Sequence, residues 1–229
     1  MNLKPVSILA YSLAGAAVLV LGGCFSINSD IEIGDGATVE RSLNTVNGRI
    51  TIGRDSTVIG SAKTVNGGVS VGPDSVVGEV QTVNGKIEFG KGVKAESVEA
   101  VNGNVEVGEG VEVTGGIETV NGRVLIGGDS IIGGRVESVN GQIRLAGATV
   151  GSLLNVRGGM VLEAGSRVMG ELRVARARGS ERDDPVLVEI HADCEVLGPL
   201  VFERPVRLRV HRSAQVGEIQ GAEPEYFNN

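Results

Sequence analysis

Tryptophan is absent from this 229-residue chain, and aromatic residues make up only 3% of it. Phe89 and Phe202 are the only Phe, Tyr or Trp residues between Ser26 and Gly221, and both fall at positions expected to point inward. A sugar-cleaving groove, which needs exposed rings beside paired carboxylates, therefore has little to build on. Positive charge is also short: 21 Lys and Arg stand against 28 Asp and Glu, for a net charge of −7. That balance argues against a nucleic-acid partner. Nine late arginines between Arg167 and Arg212 are interspersed with acids such as Glu171, Asp183 and Glu203, the pattern of a solvated mixed surface. There are two histidines, His191 and His211. An 18-residue register sets His191 beside Arg209 and His211 beside Asp193, so the pair is expected on the outer surface, unstacked and without a metal. No Ser-His-Asp spacing accompanies them.

Glycine, with 36 residues, is abundant. Much of it belongs to a recurring stretch, Thr45-Val46-Asn47-Gly48-Arg49-Ile50-Thr51-Ile52-Gly53, whose variants return at Thr64, Thr82, Ala100, Thr119 and Ser138. The period is about 18 to 19 residues, which is the mark of a solenoid whose repeats stack only on their neighbours. Within one copy Ile50 and Ile52 alternate with Arg49 and Thr51, as in a half-buried strand. Apolar residues then recur in steps of six: Val46, Ile52, Val58; Val65, Val71, Val77; Val83, Phe89, Ala95; Val101, Val107, Val113; Val120, Ile126, Ile132. Three six-residue sides per period predict triangular coils, each side turning one aliphatic residue inward, with successive coils paired in parallel about 4.8 Å apart. The expected fold is all-β, a single-stranded parallel β-helix.

The Asn-Gly pairs predict a corner in which Gly supplies a positive φ. Stacked in register, Asn47, Asn66, Asn84, Asn102, Asn121 and Asn140 would form a structural ladder of amide hydrogen bonds. Asp55, Asp74 and Asp129 recur at another corner. The matching positions Gly92 and Gly110 carry no ligand, so tight-turn chemistry is expected there rather than calcium. No cofactor and no small-molecule substrate is implied.

Residues 31–219 form the expected β-helix. Its opening coil starts at Ile31 and Ile33, its rhythm runs to Val139 and Leu145, and it continues through Val156, Leu162, Val168 and Val174 with Arg157-Gly158 in place of Asn-Gly. The charged stretch 175–185, ARARGSERDDP, breaks the rhythm and reads as a protruding loop. Ile190, Val196, Phe202, Leu208 and Ala214 resume it, and residues 220–229 form an aperiodic tail. Cys194, two residues before inward Val196, is expected to be a buried small hydrophobe.

Residues 1–23 differ in kind. Lys4 gives a positive start, an apolar segment runs from Val6 to Gly22, and Leu21-Gly22-Gly23-Cys24 closes it. This resembles a bacterial lipoprotein signal with its lipobox. The resemblance implies lipid attachment at Cys24, a membrane partner reached through that anchor, and residence in the cell envelope. Phe25 after the cysteine is similar to the outer-membrane sorting pattern. Residues 24–30 then form a lipidated N-terminus and a short linker of about 20 Å.

Gly158-Gly159-Met160-Val161-Leu162-Glu163-Ala164-Gly165-Ser166-Arg167-Val168-Met169-Gly170-Glu171-Leu172 resembles the turn of bactofilins, the polymer-forming cytoskeletal family. Weaker echoes fall at 76–80 and 111–117. The likeness implies a right-handed β-helix able to stack end to end into homo-oligomers, without nucleotide or metal. The lipobox departs from that family and points to the envelope. The leading expectation is thus a non-enzymatic, lipid-anchored structural or assembly element. The alternative is a monomeric adhesin or accessory lipoprotein that uses the 175–185 loop or a face of the helix. Five Ile-Gly-like steps also resemble hexapeptide acyltransferases on one side of three, but the central coils lack the histidine base which those enzymes use.

Overall fold

A computed structural model describes residues 24–176 and 184–228, and every element in them is a β-strand. The strands wind as a parallel β-solenoid. One face is an eleven-stranded sheet that starts at Ile31–Ile33, Ile50–Ile52 and Val69–Val71 and ends at Pro224–Phe227. Ile31 pairs with Ile50, Ile50 with Val69, Val69 with Ile87 and Ile87 with Val105, so equivalent residues of successive coils lie in one column. The other two faces merge into a seventeen-stranded sheet, because Val76–Asn84 and Lys94–Asn102 run through the bend between them. At the strand spacing, eleven rungs give a rod about 5 nm long.

The core is a set of aliphatic columns along the axis. Ile50, Ile87, Val105, Val124 and Ile143 are fully buried on the first face, Val58, Val77, Val113 and Ile132 nearly so on the second, and Leu43, Val80, Val98 and Ile117 on the third. Each column joins equal positions of neighbouring repeats, so β-branched side chains nest in the pleat while the backbone satisfies its hydrogen bonds between rungs.

On the third face the six-step count misplaces the inward residue. Val65, Val83, Val101 and Val120 are 38–41% exposed, and Val46, Val139 and Val156 are half-buried. The buried residue is the one before: Thr45, Thr64, Thr82, Ala100, Thr119, Ser138 and Asn155. In Leu43–Thr45 both ends face the axis, so the next residue must face out. Hydropathy ranks Val above Thr, but the threonine hydroxyl is satisfied inside. Thr64 Oγ1 donates to the Gly48 carbonyl at 2.9 Å, and Thr82 Oγ1 to that of Gly67 at 2.8 Å.

The ladder also extends beyond the apolar rhythm at both ends. Cys24–Ser26 pairs with Leu43–Thr45, within the stretch expected as linker, and Pro224–Phe227 pairs with Leu208–His211, within the expected tail. Parallel pairing uses backbone groups that carry no sequence pattern, so such rungs are hard to read from composition. Between Met160 and Val188, which pair directly, the chain makes one long coil. This contains the 175–185 stretch, of which residues 177–183 lie outside the described residues.

Candidate functional site

The Asn-Gly corner joins the third face of one coil to the first face of the next. Asn66 Nδ2 donates to Asn47 Oδ1 at 2.7 Å, Asn84 to Asn66 and Asn102 to Asn84 at 2.9 Å, Asn121 to Asn102 at 2.7 Å, and Asn140 to Asn121 at 2.8 Å. The ladder starts one rung earlier than the motif, since Asn47 donates to Asn28 at 2.7 Å. Arg157 closes it with a 3.5 Å contact to Asn140 Oδ1. The signal for Asn28 was its period-length distance from Asn47, hidden because Ser29 stands where the later copies have Gly.

The glycines of this corner do not have positive φ, which corrects the turn expected there. Their role is close approach. A Cβ on Gly67, Gly85, Gly122 or Gly141 would lie 1.9 Å from the carbonyl oxygen of the stacked glycine one rung earlier. Left-handed backbone occurs instead at another corner, where Asp55, Asp74 and Asp129 have φ of 54°, 56° and 58° and share the column with Gly36, Gly92, Gly110 and Gly147. Asp and Gly are the residues that adopt this conformation most readily, so turn geometry accounts for the recurring carboxylates.

The next residue in that corner faces inward, and in four coils it is a buried serine. Ser56, Ser75, Ser130 and Ser166 donate to carbonyls of their own or the preceding coil, for example Ser75 Oγ to Gly53 O at 2.7 Å. Cys194 occupies the equivalent place, fully buried, with Sγ 3.1 Å from the Glu163 carbonyl. Burial pushes its thiol pKa up, which disfavours the thiolate needed for nucleophilic chemistry.

The histidines depart from the 18-residue register. Ile190 pairs with Val210, so His191 and His211 stand on adjacent rungs rather than beside Arg209 and Asp193. The coil between them is two residues longer than 18, which shifts every outward partner. Phe227 meets both rings edge-on, at centroid distances of 5.8 and 5.3 Å, and the Arg209 guanidinium lies 4.6 Å from its ring centre. His211 Nδ1 is occupied by Ser213, and His191 lies 3.6 Å from Glu189. The cluster fastens the last rung to the two before it. Among the described residues no group of His, Cys, Asp and Glu is arranged to hold a metal ion.

At the root of the long coil, Arg204 sits with its guanidinium donating to the Val156 carbonyl at 2.8 Å and the Asp184 carbonyl at 2.9 Å. It ties the returning chain to the body of the solenoid. The apolar segment 1–23 lies outside the described residues. Cys24 is the first described residue, and its backbone belongs to the opening rung.

Two kinds of surface are left. One is the C-terminal end, where Tyr226 follows the buried column of Val210 yet is 55% exposed, with Val216, Ile219 and Ala222 only partly covered. The other is the outer side of the third face, a shallow groove about 490 Å³ in volume that runs along the rod between the outward valines and the Lys63 to Glu137 column. Comparison with protein-family models, curated proteins and solved structures gives no match for this chain.

Proposed function

We propose that this protein is a non-catalytic rod of the bacterial cell envelope, anchored through lipid on Cys24, that assembles by end-to-end contact in the manner of bactofilins. The observation that carries the assembly reading is the uncovered C-terminal rung. Among the described residues Pro224–Phe227 pairs on one side only, and its inward-column residue Tyr226 is exposed where the same column is buried in the coil before. An unpaired strand edge above an open apolar core is a template for another chain. The anchor reading rests on the lipobox sequence. Because Cys24 belongs to the first rung, the anchor has no extended spacer, and the N-terminal end of the rod would stay at the membrane face.

Negative-stain electron microscopy and sizing of the full-length protein in mild detergent test the assembly. Rods longer than about 5 nm, lost on Tyr226→Asp with Ile219→Asp, are the expected result. A monomer at every accessible concentration would sink it. Incorporation of labelled palmitate, abolished in Cys24→Ser, tests the anchor separately.

A further inference from the structure

The outward valines form an unbroken apolar column. The pairs Ser26 with Thr45, Thr45 with Thr64, Thr64 with Thr82, Thr82 with Ala100, Ala100 with Thr119, Thr119 with Ser138 and Ser138 with Asn155 place the following residues in line, from Ile27 through Val83 and Val101 to Val156. Eight successive rungs give a stripe about 34 Å long at the strand spacing. Ile27 is 57% exposed, and Val65, Val83, Val101 and Val120 are 38–41% exposed. Other exposed aliphatics make no long run: Ile59 lies beside Gly78, and Met169 and Leu197 form a pair that Gly151 and Gly217 bound. A continuous exposed apolar stripe is the usual signature of a contact surface.

Beside it runs a polar column with a charge gradient: Asn44, Lys63, Gln81, Glu99, Glu118, Glu137. The three glutamates stack on consecutive rungs, where like charges repel. Glu99 accepts from Gln81 at 2.8 Å, and Glu137 lies 3.6 Å from Arg135. Glu118, in the middle, has no hydrogen-bond or ion-pair partner among the described residues. Lys63 donates to Glu79 at 2.6 Å and has two further N–H donors.

We infer that this face binds a second copy of the same chain, face to face, about a two-fold axis parallel to the strands. Such an axis reverses the order of rungs and keeps the columns superposed. Valine then lies on valine, with Val83 of one copy over Val101 of the other. In the polar column Lys63 meets Glu118, Gln81 meets Glu99, and Asn44 meets Glu137. Glu137 faces the Asn44 amide and the unpartnered Glu118 receives a cation, while both Gln81 N–H donors stay with Glu79 and Glu99 of their own chain. The other two-fold, parallel to the rod, also sets valine on valine, but it moves the polar columns to opposite flanks, so Lys63 no longer meets Glu118. The charge order therefore selects the antiparallel pair. A patch two columns wide is at the small end of specific interfaces, so the pair is expected to be reversible. This lateral contact uses a different surface from the rod ends and stands or falls independently of end-to-end assembly.

Sedimentation of the full-length protein in mild detergent tests it. The expected result is a concentration-dependent dimer weakened at least tenfold by Val83→Lys with Val101→Lys, with circular dichroism and melting unchanged because both side chains lie outside the core. Lys63→Glu alone and Glu118→Lys alone should each weaken it about tenfold, since each reverses two symmetric contacts. Combined, they should restore it to within about threefold. A short bismaleimide should join Val65→Cys protein to Val120→Cys protein much faster than either to itself. Failure of the double charge reversal to restore pairing would overturn the proposal. So would association that is lost only with the Tyr226→Asp, Ile219→Asp variant, which would assign all contact to the ends. Cross-linking of the stripe to a different envelope protein while the purified chain stays monomeric would overturn it as well.

Discussion

Single residues in this solenoid are chosen by what lies one rung away. Gly103 is glycine because a Cβ there would lie 1.8 Å from the Gly85 carbonyl oxygen, whereas Asp129 tolerates φ of 58° because its short polar side chain permits the left-handed region. Cys194 is a third case, set in a column otherwise rich in serine and packed against the Glu163 carbonyl. Burial raises its folded-state pKa, so the folded protein holds the thiol proton while the unfolded chain begins to release it above about pH 8.5. Above that pH the unfolded state binds fewer protons and stability falls. The contribution is fully present below the unfolded pKa and is lost as pH rises. Chemical denaturation at pH 7 and pH 9.5 should therefore show a larger alkaline loss for the wild type than for Cys194→Ser. An equal loss would mean that the thiol ionises as easily folded as unfolded.

The rung is the next unit, and its polar bonds are as repetitive as its core. In most copies of the motif a buried hydroxyl donates to the carbonyl of the preceding corner glycine, as Thr119 does to Gly103 at 3.2 Å and Ser138 to Gly122 at 3.1 Å. Asn155 substitutes with its amide, donating to Gly141 at 2.7 Å while accepting from Gly158 N–H at 2.7 Å. Ala100 breaks the series, although it pairs in register with Thr82 and Thr119. Ala100→Thr should supply the missing bond to the Gly85 carbonyl and stabilise the protein by about 0.5–1.5 kcal/mol. The denaturant midpoint measures this, and a destabilised variant would show that this rung has no room for the extra atoms.

As a whole the molecule is a one-dimensional stack, so its stability is a sum of rung and nearest-neighbour terms. Among the described residues, central rungs such as Ile87–Phe89 have a paired strand on both sides, and the last rung, Pro224–Phe227, on one. Hydrogen exchange followed by mass spectrometry should give the slowest amides between residues 69 and 146 and markedly faster exchange in 215–228. Uniform protection along the rod in dilute solution would show that the ends are covered, and would favour assembly even under those conditions. The Phe227 cluster with His191, His211 and Arg209 limits fraying on one face, yet leaves the open core at Tyr226 and Ile219 available to a partner.

The recurrence of Asn-Gly at a near-constant interval determined the class of fold, because a chain that repeats can bury its apolar face only by stacking equal positions. The same interval placed Ile50, Ile52, Val58 and their counterparts inside, where alternation and hydropathy agree. On the third face those two signals conflict. Only the tertiary structure decided that Thr64 turns in and Val65 out, since the carbonyl that makes a buried hydroxyl acceptable comes from the rung before. It likewise placed His191 beside His211, a matter of coil length that periodicity averages away. The surface proposed for pairing follows from that same exchange of threonine for valine. A sequence shows that both residues recur, but the side each one faces depends on neighbours that folding alone brings together.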